Sequence, residues 1–409
     1  MIEVTAKLVR GPLYLAGETV ECRVTFHYPV LPSHPKSQSN SDAFENLAWA
    51  SAQIHCQCLV NESKVKYPEC AAVTAEEIST SNTIPSISDI KLLNPNIDCF
   101  LPDTSFAPCR GDRGHVVFST KPAILFCDLR LTPGESKTFI FKEKLPNEAP
   151  PSYRGLAVKY SYKITIGTQR VNSPIKLLRV PLRVLVVNGV AGASLCPDND
   201  DLAPSSPFIE SKPKESPLEI AMQLLQNITA RRYPYYFNIT NSKGNVVRFC
   251  IFKLSYKLGE DIVGTFDFSE ATIPCVQFSV TLQSEEEIGP DCQKLPQKTP
   301  SVVSYNKCHE FCIGLKYTQL VLPIPLHVTP DFNSNVVSLK WRLHFEFVTT
   351  SQPPISETLS DDSDGTVWQG PSALDIETMV WDLPIKIYPT MPANISQVFQ
   401  SQSKSSIVI

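Results

Sequence analysis

Apolar and polar residues alternate with a period of two along most of the chain, the mark of strands that bury one face. The pattern begins at Ile2, Val4, Ala6 and Leu8 and continues at Val20, Cys22, Val24 and Phe26. It returns at Ala50, Ala52, Ile54, Cys56 and Cys58, and at Leu125, Cys127, Leu129 and Leu131. Val158, Tyr160, Tyr162, Ile164 and Ile166 form a longer run, and Leu178, Val180, Leu182, Val184 and Val186 form the last of the first half. Short strands separated by Gly and Pro turns predict a β-sandwich.

The second half repeats the order of these signals. Tyr14-Leu15-Ala16-Gly17-Glu18 is echoed by Tyr256-Lys257-Leu258-Gly259-Glu260, each ahead of a strand. Val276, Phe278, Val280 and Leu282 stand where Ala50 to Cys58 stood. Leu339, Trp341, Leu343, Phe345 and Phe347 face inward, with Lys340, Arg342, His344 and Glu346 outward. Pro181 and Pro384 open the closing strand of each half and suggest sheet edges, because proline donates nothing to a ladder. The expectation is an all-β chain of two tandem sandwiches, residues 1–190 and 233–390, each with its own core. Residues 191–232 form a polar, Pro-rich linker with one helix at about 217–231. Its signals are Ser216 as N-cap, Pro217 at the first helical position and Glu219 three residues after the cap. Leu218, Ile220, Leu224, Leu225 and Ile228 follow as its apolar residues and as candidate partner contacts. Stretches 29–47, 68–112, 284–310 and 351–372 lack periodicity and read as long surface loops. The Ser/Gln-rich tail, 391–409, reads as mobile.

Composition narrows the function classes. The 409 residues are 42% hydrophobic and 19% charged, ordinary for globular domains, and the net charge of −4 offers no electrostatic footprint for nucleic acid. No stretch reaches the ~20 apolar residues of a membrane span. Met1 to Leu8 alternates like a strand and does not read as a signal peptide. Thirteen cysteines without a repeated spacing then read as reduced, mostly buried thiols of a cytoplasmic protein.

Candidate chemistry is sparse. Pro150-Pro151-Ser152-Tyr153, followed by Gly155, fits the Pro-Pro-x-Tyr ligand of WW domains, but it also fits a structural turn feeding the strand at Val158. The turn is the preferred reading, because a strand that starts within a few residues pins the motif. Cys308-His309-x-x-Cys312 and Cys56-x-Cys58 are the densest ligand candidates. Cys56 and Cys58 share an inward strand face, and the Cys308 group stands in a loop without the second pair that structural zinc requires. No Gly-x-Ser-x-Gly, His-Glu-x-x-His or phosphate-binding loop is present. His55 and His344 fall on polar strand faces, and the runs Glu285-Glu286-Glu287 and Asp361-Asp362-Ser363-Asp364 read as solvated loops. Neither a catalytic residue nor a metal or cofactor site is expected. Ser206, before Pro207, is a candidate for proline-directed phosphorylation.

Pro150-Pro151-Ser152-Tyr153-x-Gly155 opening a long strand resembles the turn of arrestin-like proteins. The segments Leu47 to Gln57, Ile124 to Leu131, Val171 to Ile175, Ala203 to Phe208 and Ser338 to Phe347 closely resemble the Rgp family. The resemblance covers nearly the whole chain and weakens in the loops, the linker helix and the tail. It implies two arrestin-like lobes in a regulatory subunit, peripheral on Golgi membranes, that acts in retrograde endosome-to-Golgi traffic. Its implied partners are a large Ric-type subunit and a GTPase of the Rab-six class, with nucleotide exchange only in the complex. The alternative is a general arrestin-like adaptor for cargo tails or a WW-domain ubiquitin ligase, for which Pro150 to Tyr153 would matter. The tail, Met391 to Ile409, adds no further Pro-Pro-x-Tyr.

Overall fold

The alternating runs become four sheets in a computed structural model, which describes residues 1–30, 44–67, 114–186, 217–230, 233–294, 299–351, 373–390 and 404–408. The first half supplies β1 (Glu3–Leu8), β2 (Leu13–Leu15), β3 (Thr19–His27), β4 (Glu45–Val60), β5 (His115–Ser119), β6 (Ala123–Leu131), β7 (Ser136–Lys144), β8 (Tyr153–Arg154), β9 (Val158–Gln169) and β10 (Lys176–Leu185). After helix α1 (Pro217–Thr229) come β11 (Tyr235–Asn241), β12 (Gly244–Ile251), β13 (Ser255–Lys257), β14 (Asp261–Asp267), β15 (Cys275–Ile288), β16 (Ser301–Phe311), β17 (Tyr317–Pro323), β18 (Phe332–Asn333), β19 (Val337–Thr350) and β20 (Ile376–Tyr388). The chain returns at its end as β21 (Lys404–Val408).

Each lobe pairs a small sheet with a large one, and the two lobes share one plan. The small sheets run β21-β1-β3-β7 and β11-β12-β14-β17, and the large ones run β2-β10-β9-β4-β5 and β13-β20-β19-β15-β16. The short β8 lies on β9 as β18 lies on β19. Pro181 and Pro384 fall just ahead of the short parallel pairings of β10 with β2 and β20 with β13, where the missing N–H is tolerated.

Correspondence strand by strand exposes one substitution. The place of β11 in the second lobe is taken in the first by β21, paired antiparallel with β1 from Glu3↔Val408 to Lys7↔Lys404. The last residues of the expected mobile tail are therefore an edge strand. Ile407 packs on the core, and β1 offers backbone groups that would otherwise lack a ladder. Three further expectations change. The stretch 284–310 includes the end of β15 and most of β16, whose exposure on both faces hides its period. Glu285 to Glu287 lie in β15, not in a loop. His55, expected in solvent, is fully buried beside Ser51, Gln53 and Gln57 on the second face of β4. There Thr120 closes over the strand, its hydroxyl accepting from Ile54 N–H at 3.0 Å and its carbonyl from Gln53 at 2.6 Å.

The cores interlock and are not separate. Ile288, Cys292, Phe332, Val336, Val337 and Leu339 from the second half join the first lobe's core, while Leu13, Leu15 and Leu185 join the second's. Trp341 anchors the second core. It is almost fully buried against Tyr305, with its indole N–H donating to the Thr329 carbonyl at 3.1 Å. Trp341→Ala is expected to lower unfolding free energy by ~3–5 kcal/mol, measured by denaturant titration; an unchanged midpoint would contradict this packing.

Candidate functional site at the joint between the lobes

The Pro-Pro-Ser-Tyr turn lies where the lobes meet. Tyr162 donates its hydroxyl proton to the Pro150 carbonyl at 2.6 Å. The Ser152 N–H reaches the Val184 carbonyl at 2.7 Å, and its hydroxyl accepts from the Val184 N–H at 2.9 Å. Tyr153 is 8% exposed, its ring meeting Phe332 edge-on at 4.9 Å. A WW domain needs that tyrosine extended and free, and here it is part of the joint.

The second lobe carries a twin of this turn at Pro330-Asp331-Phe332. The Asp331 N–H bonds the Ile387 carbonyl, and its carboxylate accepts from the Ile387 N–H, as Ser152 does with Val184. The closing bonds also match, Gly155 N–H to Val158 carbonyl and Ser334 N–H to Val337 carbonyl. The twins meet through Tyr153 and Phe332, and through a 3.0 Å bond between the Tyr160 and Ser334 hydroxyls. Arg183 adds donations to the carbonyls of His327 and Val328 at 2.8 and 3.1 Å, and the Thr329 hydroxyl donates to the Ser152 carbonyl.

Glu286 breaks the symmetry. Strand phase sends Glu285 and Glu287 outward to Arg342 and Lys340, and turns Glu286 inward to 2% exposure. Its carboxylate crosses the joint and accepts from the N–H groups of Leu156, Ala157 and Val158 at 2.7, 3.1 and 3.4 Å. These donors supply what a buried charge needs in place of water. Gly155 is required by space, since a Cβ there would lie 2.1 Å from the Glu286 carboxylate and 2.4 Å from the Tyr153 hydroxyl. Burial, and then the neighbouring Glu286, pushes the Tyr153 phenol well above its ordinary range. Asp331 is pushed up to about 7 by burial, against the pull of the Ile387 N–H and Lys386.

The other candidate residues are dispersed. Cys308 and His309 are adjacent on β16, so their side chains leave opposite faces, and Cys312 is buried in the second core. Cys56 and Cys58 are buried in the first core, and burial pushes the Cys58 thiol up to about 12. No group of three His, Cys, Asp or Glu able to hold a metal occurs among the described residues. His344 bonds Asp382 at 2.6 Å within a lattice of charges on the outer face of β15, β19 and β20, where Arg342 also reaches Asp382 at 3.2 Å. On α1, Leu225 is fully buried, Leu224 half-buried and Ile228 41% exposed, and Lys253 donates to the Thr229 carbonyl at the helix end. The side chains of Leu218 and Ile220 lie outside the described residues, as do Ser206 and Asp361 to Asp364. Among the described residues, no helix is long and apolar enough to cross a membrane. Glu286, Arg183 and Phe332 escaped sequence reasoning. For Glu286 the one available signal was its phase with Phe278, Val280 and Leu282.

Two β-sandwiches clasped by twin turns and a buried carboxylate define a class, the two-lobed all-β protein that presents sheet faces and edges. The chain belongs to the Rgp1 family, whose model matches residues 113–198 and 197–350. Over the full length of both chains it is 46% identical to the Homo sapiens protein called RAB6A-GEF complex partner protein 2. The Bos taurus protein of the same name is 45% identical over 94% of this chain and 93% of its own.

Two outcomes are expected from the joint. Glu286→Gln should cost about 1.5–3 kcal/mol, since it removes charge-assisted bonds from a buried site; a denaturation midpoint equal to wild type would refute the pinning. Asp331 keeps a proton in the folded chain that the unfolded chain releases, so its contribution makes stability fall as pH rises from about 4 to about 7. Melting curves across that range should therefore show Asp331→Asn gaining on wild type as pH increases. A constant difference would contradict the raised carboxyl.

Proposed function

We propose that this chain is the non-catalytic smaller subunit of a guanine-nucleotide exchange complex for a Rab-six-class GTPase. Its partner in that complex is a large Ric-type subunit, and it works at the Golgi membrane in retrograde endosome-to-Golgi traffic. The observation that carries the reading is the 46% identity to a RAB6A-GEF complex partner protein over the whole of both chains. Exchange requires no bond-making in the protein. A factor that binds the nucleotide-free GTPase more tightly than the loaded form expels the nucleotide by that difference alone. Interlocked cores and a pinned joint suit this role, because a rigid subunit spends little binding energy on its own ordering.

The test is release of labelled GDP from RAB6A with the purified chain, with the large subunit and with both. The chain alone should leave the release rate unchanged, and the pair should accelerate it beyond either component. Acceleration by the chain alone, or failure of the two subunits to form a complex, would overturn the reading.

A further inference from the structure

The two lobes follow one plan, and they differ most where the sandwiches open to the side. In the second lobe, β16 runs unbroken beside β17 and is tied to it by side chains. Asn306 donates to the Pro323 carbonyl at 2.7 Å, and the Thr318 hydroxyl donates to the Glu310 carboxylate at 2.8 Å. In the first lobe the corresponding strand is broken into β5 and β6, both paired with β4. Register slips within β6, where Ala50 faces Phe126 but Ser51 faces Ile124, so Leu125 is an extra residue. Asp128 adopts a left-handed φ of 56° in the same strand. No ladder joins β6 to β7, and among the described residues β7 ends its sheet with one edge unpaired, as β17 does in the second lobe.

Between β6 and β7 lies a slot of about 400 Å³ lined by Ala123, Ile124, Leu125, Phe139, Ile140 and Phe141, with Lys142 at its margin. Ile124 is 62% exposed and Ile140 55%, an unusual investment of aliphatic surface beside a free edge. Lys121 lies just ahead of β6 and Lys144 ends β7, both exposed. Residues 121–144 carry five Lys or Arg against three Asp or Glu, in a chain whose net charge is −4. Arg130 is paired with Asp128, Lys137 with Glu135 and Lys142 with Glu21, and Glu143 is half-buried nearby, so the excess rests on Lys121 and Lys144. Lysines along an edge repel a second copy of the same edge while favouring an acidic one.

We propose that the β6–β7 slot receives an extended acidic segment of a protein partner, which adds as a strand to β7 and places alternate aliphatic side chains against Ile124 and Ile140. The backbone of β7 supplies the ladder, the slot reads every second side chain, and the lysines select the charge of the residues between. The site is distinct from the joint and independent of which GTPase the complex serves.

The test uses the full chain and synthetic peptides matching the nine residues of β7. One peptide alternates Asp or Glu with Val or Ile, one alternates Lys with the same aliphatics, and one is the acidic peptide N-methylated at alternate amides. Fluorescence anisotropy should show saturable binding of the acidic peptide, weaker by about tenfold or more for the other two. Ile140→Asp, Ile124→Asp and the pair Lys142→Glu with Lys144→Glu should each weaken it, with unchanged circular dichroism confirming the fold. Hydrogen exchange at Ser136 to Lys144 should slow when the peptide binds. Absence of binding, or binding indifferent to N-methylation or to both Ile substitutions, would overturn the proposal. So would a dimer of the free chain, seen in sedimentation, that Ile140→Asp dissociates, since the slot would then belong to a second copy.

Discussion

A carboxylate almost withdrawn from water pins the joint between the two lobes. Glu286 projects from the second lobe into a row of three amide protons in the first, and the surroundings follow from what that charge requires. Gly155 leaves room for it, and Tyr153, whose ring packs on Phe332 of the twin turn, brings its hydroxyl beside it. An ion buried without these donors would be strongly unfavourable, so the contact forms with its full set of partners or the joint opens.

That constraint separates two readings that one tetrapeptide could support. A docking ligand and a structural turn can share Pro-Pro-Ser-Tyr, and the neighbours decide between them. Here the tyrosine ring lies in the first core cluster, and the serine is stitched to β10 in both directions. Recognition is left to exposed surfaces, and the lobes offer different ones. The second shows a lattice of paired charges around Arg342 and Asp382, while the first has an apolar slot beside the terminal strand of its small sheet.

Much of this architecture was legible because most strands bury one face only. β1 and β3 alternate throughout, β19 does so up to its last residue, and the repeated Gly-Glu turns with Pro181 and Pro384 in the closing strands showed that one plan occurs twice. Legibility failed where burial and polarity part company. β4 buries both faces, so Gln53 and His55 looked like surface. β16 exposes residues on both faces, so its period vanished. Glu286, flanked by two glutamates that do meet solvent, looked like part of a hydrated run. The interlocking of the cores depends on contacts between residues more than a hundred positions apart, as with Tyr153 and Phe332, and local pattern does not carry them.

The pairing of β21 with β1 joins strands from either side of the second lobe in one sheet. During synthesis β1 leaves the ribosome well before its edge partner, which emerges after the second lobe has been made. The first lobe must wait with an open margin while the rest of the chain is translated. Closure of that sheet therefore comes only after both lobes have been made.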